Sequence, residues 1–82
     1  MLKSVMIKIE DIYVPDARRK ELDPTRVDAV AEEIMEDANN RPIQVREGKG
    51  RYVLIKGVHR LEARRALGDV TIETYIVSAV QY

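Results

Sequence analysis

An Asp-Pro pair at positions 23 and 24 is followed by apolar residues at helical spacing. The Asp23 side chain can accept a hydrogen bond from a backbone N–H group of a first helical turn, and Pro24 has the fixed φ that suits the first helical position. The apolar residues that recur behind this pair are Val27, Val30, Ala31 and Ile34. The pattern predicts an amphipathic helix over about residues 24–37.

Short apolar segments elsewhere predict strands over residues 5–9, 43–46, 52–56 and 71–77. The glycines Gly48 and Gly50 suit a hairpin turn between the second and third strands. Gly57 breaks the third strand and opens a short second helix, residues 58–67, which Gly68 closes. We therefore predict a single domain over residues 1–82, of α/β (α+β) class, with a small mixed sheet, two main helices and the order β-α-β-β-α-β.

The segment from Glu10 to Leu22 is a polar stretch that contains Pro15. We predict a long connection here, and long loops in small domains are often binding loops. Its basic triplet is Arg18, Arg19 and Lys20. Arg18 and Arg19 are therefore candidates for additional anion contacts.

Composition limits the function classes. Lys plus Arg and Asp plus Glu both count 14, so any anion site must be a local feature. The chain has no cysteine, which excludes disulfides, thiolate metal sites and cysteine nucleophiles. No apolar run is long enough to span a membrane, and the first residues do not form a signal peptide. We expect a cytoplasmic protein without a membrane partner.

The turn at Gly57 is a candidate anion site, because the first N–H groups of a helix have no partner inside it and the helix dipole adds positive charge. Arg60 and Arg64 lie four apart on the following helix, where they repel each other unless an anion sits between them. Arg64 is thus a further candidate contact. The alternative is solvated surface charge, with Arg65 paired to Glu62.

His59 also has two interpretations. It falls on the helix side of Ala63 and Ala66, so its ring can be half-buried and hydrogen-bonded to backbone groups. A catalytic role would require a nucleophile or a polarised substrate nearby, and no such partner is evident. No His or Asp cluster has metal-ligand spacing, and the phosphate-loop pattern is absent.

Three segments in this order resemble the ParB/sulfiredoxin superfamily. They are Leu22 to Val27 (LDPTRV), Arg41 to Val45 (RPIQV) and Gly57 to Ala63 (GVHRLEA). Sulfiredoxins have a similar Leu-Asp-Pro-x-Lys helix opening and a Gly-Cys-His-Arg turn at the second helix. ParB N-terminal domains have Gly-Glu-Arg-Arg at that turn, and free-serine kinases have Gly-His-His-Arg.

The resemblance implies a nucleotide-phosphate site for ATP or CTP, with Mg²⁺ accompanying the nucleotide. The turn of Gly57, Val58, His59 and Arg60 corresponds to the one that cradles phosphates in these families. Arg26 stands where sulfiredoxins place a nucleotide-contacting lysine. That change keeps the charge, although a guanidinium favours bidentate contacts.

The sequence also departs from these families. Val58 stands where sulfiredoxins have their reactive cysteine and ParB has a motif glutamate. An isopropyl group cannot form a thiol adduct, so sulfiredoxin activity is not expected. Because the sequence stops at Tyr82, we expect no helix-turn-helix domain of the ParB type and no site-specific DNA binding by this chain alone.

Three hypotheses follow. The first is a stand-alone nucleotide-binding module that acts as a regulatory switch or together with DNA or a DNA-associated protein. The second is a nuclease or phosphotransferase that uses loop acids, for which Glu10, Asp11 and Asp16 are weak candidates. The third is a protein that binds DNA backbone non-specifically through its basic clusters. The oligomeric state and the preferred base stay open.

Overall fold

The computed structural model of the protein describes residues 3–36 and 41–77. The strands in this part of the chain are β1 (Ser4–Lys8), β2 (Ile12–Tyr13), β3 (Ile43–Glu47), β4 (Tyr52–Lys56) and β5 (Thr71–Ile76). The α-helices are α1 (Asp16–Arg19), α2 (Pro24–Met35) and α3 (Val58–Ala66), and a 3-10 turn, Ile9–Asp11, joins β1 to β2.

The strands form one mixed sheet in the order β1-β5-β3-β4-β2. β5 lies between an antiparallel neighbour, β1, and a parallel neighbour, β3. β3 and β4 form an antiparallel hairpin, and the short β2 adds in parallel to β4. The mixed pairing places the end of β4 and the start of β3 side by side, and the chain leaves β4 directly into α3.

The core lies between the sheet and α3. Leu61 and Ala63 on that helix are completely buried, and Ile43, Val45 and Leu54 on the central strands are at most 1% exposed. These aliphatic side chains exclude water between the two layers, which stabilises the fold through the hydrophobic effect.

The helix α2 packs chiefly against α3 rather than against the sheet. Ile34 is buried, whereas Val27, Val30 and Ala31 are only half-buried. The predicted apolar stripe is therefore present, but the rest of the fold buries it only in part. As a result α2 stands beside the core and forms one wall of a cleft.

The predicted fold class is confirmed. The α2 helix begins at Pro24 as predicted, and Asp23 is its N-cap, with Oδ1 accepting from the backbone N–H of Thr25 at 3.0 Å. The hairpin, the second helix and the last strand are found within one residue of their predicted bounds. The α2 helix ends at Met35 with Glu36 as its C-cap, so it is shorter than the predicted range 24–37. Residue 37 and the predicted helix-ending residues Asn39 and Asn40 lie outside the described residues.

The prediction of one long loop from Glu10 to Leu22 was wrong. This segment contains most of the 3-10 turn, the strand β2 and the helix α1, so two further regular elements interrupt the predicted order. Ile12 and Val14 are buried and fix β2 to the core. A two-residue strand is too short to produce a recognisable alternation, which is why the sequence did not reveal it.

The N-cap of α2 gives a first testable prediction. Asp23→Ala removes the side-chain acceptor of the Thr25 N–H group, and we expect the free energy of unfolding to fall by about 0.5–2 kcal/mol. Urea unfolding of both proteins measures the difference. Asp28→Ala, an exposed position inside the same helix, is the control and should not lower stability. Equal stability of Asp23→Ala and wild type would contradict the role of the cap.

Candidate functional site

A cleft of about 920 Å³ opens between α2, the first turn of α3 and the neighbouring ends of the central strands. Its lining residues from the first half of the chain are Arg18, Glu21, Arg26, Ala29, Val30 and Glu33. Those from the second half are Arg41, Pro42, Gln44, Lys56, Gly57, Val58, His59, Arg60 and Tyr75. All three segments singled out in the sequence therefore contribute to one surface.

The cleft is positively charged although the chain as a whole has a formal net charge of zero. Its cationic side chains are Arg18, Arg26, Arg41, Lys56 and Arg60. The acidic ones are Glu21 and Glu33. A concave surface with an excess of one sign concentrates ligands of the opposite sign, so the cleft favours anions.

Gly57 determines the shape of the turn at the base of α3. Its φ is 111° and its ψ is 33°, a conformation that side-chain-bearing residues rarely adopt. An added Cβ would also lie 2.6 Å from Cγ2 of Ile43. Only glycine therefore fits this close to Ile43 while it turns the chain from β4 into α3.

The N-terminal amides of α3 are available to an anion. The first hydrogen bond inside the helix runs from the N–H of Leu61 to the Gly57 carbonyl, at 2.9 Å. The amides of Val58 and His59 precede it and have no partner within the helix. Because the Val58 side chain is buried in the core, this residue can contribute only its backbone to a bound ligand. These donors, together with the helix dipole, suit a phosphate.

His59 connects the two helices that flank the cleft. Its Nε2 accepts a hydrogen bond from the backbone N–H of Asp23, at 3.0 Å. This contact confirms the interpretation of a half-buried ring bonded to a backbone group. Since Nε2 is the acceptor, the ring proton of the neutral imidazole is on Nδ1. His59 thus holds the N-terminus of α2 beside that of α3.

Arg60 is a partly buried cation of the cleft. Its pKa is lowered from its ordinary value, first by burial and then by repulsion from Arg64 and Arg41, while Glu33 acts in the opposite direction. The guanidinium nevertheless stays charged at neutral pH, because arginine loses its proton only under strongly basic conditions. A bound anion would offset the repulsion between these cations.

The other candidate arginines divide into two groups. Arg18 and Arg26 line the cleft, whereas Arg19 and Arg64 do not. Arg64 forms a salt bridge of 3.2 Å with Asp69, and Nε of Arg19 donates to the Val14 carbonyl at 3.3 Å. These two side chains therefore contribute to local structure outside the cleft.

The alternative pairing of surface charges is confirmed for one pair. Nε of Arg65 lies 3.5 Å from the Glu62 carboxylate, and neither residue lines the cleft. Arg65 is thus a surface charge paired with Glu62, whereas Arg60 on the same helix lines the cleft.

Several cleft residues were missed from the sequence. Lys56, Gln44 and Tyr75 are direct neighbours across three adjacent strands, because Gln44 pairs with Lys56 on one side and Tyr75 on the other. Only the strand register brings them together. Glu33 could have been found, since it lies seven residues after Arg26 and so on the same side of α2.

The candidate catalytic acids lie elsewhere. Glu10 and Asp11 belong to the 3-10 turn, Asp16 begins α1, and none of the three lines the cleft. Among residues 3–36 and 41–77, no group of three or more His, Cys, Asp or Glu side chains could hold a metal ion. No helix in these ranges is long and apolar enough to cross a membrane.

The sequence matches the ParB N-terminal domain family over residues 2–81. None of the curated proteins gives a significant sequence match. Among solved structures, sulfiredoxin from Arabidopsis thaliana is 31% identical with a TM-score of 0.80, and the alignment covers 94% of this chain and 86% of that one.

Two further structures share the fold at lower identity. The C-terminally truncated chromosome-partitioning protein ParB from Caulobacter crescentus, complexed with CTP-gamma-S, is 23% identical with a TM-score of 0.80. The alignment covers 96% of this chain and 46% of that one. A free serine kinase in complex with AMP is 17% identical with a TM-score of 0.76, with 93% and 31% covered. The present chain therefore spans less than half of either protein.

Proposed function

Because the chain belongs to the ParB N-terminal domain family, within the ParB/sulfiredoxin superfamily, we propose that it is a nucleotide-binding module. The phosphates of ATP or CTP bind in the cleft at the first turn of α3. Gly57, Val58 and His59 offer backbone amides to the phosphates, and Arg26 and Arg60 offer guanidinium groups.

The observation that carries this proposal is the position of the cations relative to the α3 N-terminus. Among the described residues, five positive side chains line one cleft in a chain of zero formal net charge, and that cleft contains the turn at Gly57. Charged hydrogen bonds from arginine and backbone amides of a helix N-terminus are two independent means of binding phosphate. Their coincidence in one cleft favours a phosphorylated ligand over a neutral one.

The bound ligands of the structural neighbours support the same class of ligand. The Caulobacter ParB structure holds CTP-gamma-S and the serine kinase structure holds AMP. Those two nucleotides differ in base and in phosphate number. What they share is a nucleoside carrying phosphate, which is the chemistry proposed for the present cleft.

Mg²⁺ enters this proposal as a partner of the nucleotide. Mg²⁺ is usually held by phosphate oxygens with one or two carboxylates. Glu33 is a carboxylate that lines the cleft and is the candidate ligand for such an ion. The bound nucleotide then serves a regulatory role, alone or with DNA or a DNA-associated protein.

The two alternatives have less support. A nuclease or phosphotransferase based on the loop acids would need them near the ligand, and Glu10, Asp11 and Asp16 are not part of the cleft. A DNA-backbone surface would need cations available to phosphate, and Arg19 and Arg64 are engaged with protein acceptors. Sulfiredoxin-type chemistry is not proposed, since the chain has no cysteine.

Calorimetric titration tests the proposal. Purified protein is titrated with ATP, CTP, GTP and inorganic phosphate, each with and without Mg²⁺, at low and at physiological salt. We expect saturable binding of one triphosphate per chain, tighter than inorganic phosphate and weaker at higher salt because charges are screened. If no triphosphate bound more tightly than inorganic phosphate, the nucleotide assignment would fail.

A further inference from the structure

Arg18 reaches from α1 to the strand that leads into the phosphate-binding turn. Its Nη1 donates to the Ile55 carbonyl at 3.4 Å, two residues before Gly57. The strand pairing is irregular at this point, because Gln44 pairs with Lys56 while Val45 pairs with Leu54, so Ile55 has no partner on β3. Arg18 thereby lies across the end of β4, in the wall of the cleft.

A carboxylate accompanies this arginine. Oε1 of Glu21 lies 3.6 Å from the same Nη1 atom of Arg18, and Glu21 also lines the cleft. The two side chains are 36% and 51% exposed. The separation is slightly longer than a hydrogen bond, and exposed pairs of this kind contribute little to stability. The Glu21 carboxylate, an anion of the protein itself, thus holds Arg18 only weakly.

We propose that Glu21 competes with the ligand's phosphate for Arg18 and so limits the affinity of the cleft. This inference rests on the proposed function and adds a residue that works against binding. When the ligand arrives, Arg18 exchanges the carboxylate of Glu21 for a phosphate oxygen. A guanidinium can form two parallel hydrogen bonds with a phosphate group. Its present contact with the Glu21 carboxylate, at 3.6 Å, is weaker than such a pair of bonds.

The competition discriminates between ligands by charge. A phosphate group with two negative charges displaces Glu21 more readily than a singly charged group does. A ligand that reaches only the amides of α3 leaves the Arg18–Glu21 pair in place. Nucleotides whose phosphate chain extends from the α3 turn to Arg18 therefore depend most on Glu21.

The test is a double-mutant cycle on Arg18 and Glu21, read by calorimetric titration with ATP and CTP in EDTA and again in Mg²⁺. Glu21→Gln keeps the shape of the side chain and removes its charge. We expect it to tighten binding roughly 1.5- to 5-fold, the range measured for exposed ion pairs. Arg18→Gln should weaken binding about tenfold, and adding Glu21→Gln to that variant should then produce no gain.

Glu62→Gln is the matched control. Glu62 forms an i,i+3 pair with Arg65 at 3.5 Å, and neither residue lines the cleft. The control makes the same change in net charge and deletes the same type of pair, and it should leave affinity unchanged. Urea unfolding of all variants verifies that each is folded.

Several results would overturn the inference. They are an unchanged affinity of Glu21→Gln, an equal gain in Glu62→Gln, and a gain that persists when Arg18 is already replaced. Weaker binding by Glu21→Gln in Mg²⁺ alone would also overturn it and assign Glu21 to the metal. Failure of the wild type to bind any nucleotide would instead refute the proposed function itself, and this inference with it.

Discussion

Replacing Gly57 with alanine is expected to lower the free energy of unfolding by about 2–5 kcal/mol. Two costs add at this position. A residue with a side chain is strained at a φ of 111°, and its Cβ would lie 2.6 Å from Cγ2 and 2.9 Å from Cβ of Ile43. Ile43 is only 1% exposed and is packed in the core, so it cannot move away without disturbing its neighbours. Urea or thermal unfolding measures the loss.

Gly68→Ala is the matched control for this experiment. Gly68 also has a positive φ, 86°, but an added Cβ there would meet nothing within 4 Å. The control should cost only the backbone strain, about 1–2 kcal/mol. If the two variants were equally destabilised, the close approach of Gly57 to Ile43 would not be significant for stability.

The second large effect concerns binding. Arg60→Ala is expected to weaken nucleotide binding by about 1.5–3 kcal/mol, or roughly 10- to 150-fold, because a charged hydrogen bond to phosphate is lost. The side chain is partly buried beside the α3 N-terminus and lies among other cations. A bound phosphate therefore gains more from this guanidinium than from one fully exposed to water.

Two variants show whether the effect is specific. Arg60→Lys keeps the charge but loses the bidentate geometry, so its affinity should fall between those of wild type and Arg60→Ala. Arg65→Ala removes a cation from the same helix outside the cleft and should bind as wild type does. Equal losses in Arg60→Ala and Arg65→Ala would show that only the overall charge of the helix affects binding.

Local signals in the sequence were sufficient for most of the fold. The N-cap at Asp23, the glycines flanking α3 and the strand alternation act over a few residues, so their structural effects are visible without tertiary information. The α1 helix and β2 depend on tertiary contacts. Arg18 donates to the carbonyl of the distant residue Ile55, and Arg19 donates to the carbonyl of Val14, which lies outside the helices and strands. No local sequence pattern predicts such contacts.

The candidate site shows the same division. Gly57, His59 and Arg60 were predicted because they share one turn, and Arg26 because it stands where sulfiredoxins place a nucleotide-contacting lysine. Lys56, Gln44 and Tyr75 were not found, since their association depends on strand register across β4, β3 and β5. The contact between His59 and Asp23 joins residues 36 apart, and only the packing of α2 on α3 makes it.

Nucleotide binding in the cleft can be tested by an amide chemical-shift titration of ¹⁵N-labelled protein with ATP, CTP and GTP, with and without Mg²⁺. Binding at the proposed cleft predicts saturable shifts concentrated at residues 57–61 and around Arg26, with one triphosphate preferred. Inorganic phosphate should move the same amides only at much higher concentration. If no nucleotide moved the amides of residues 57–61, or if the shifts lay elsewhere in the chain, the account of this cleft would be contradicted.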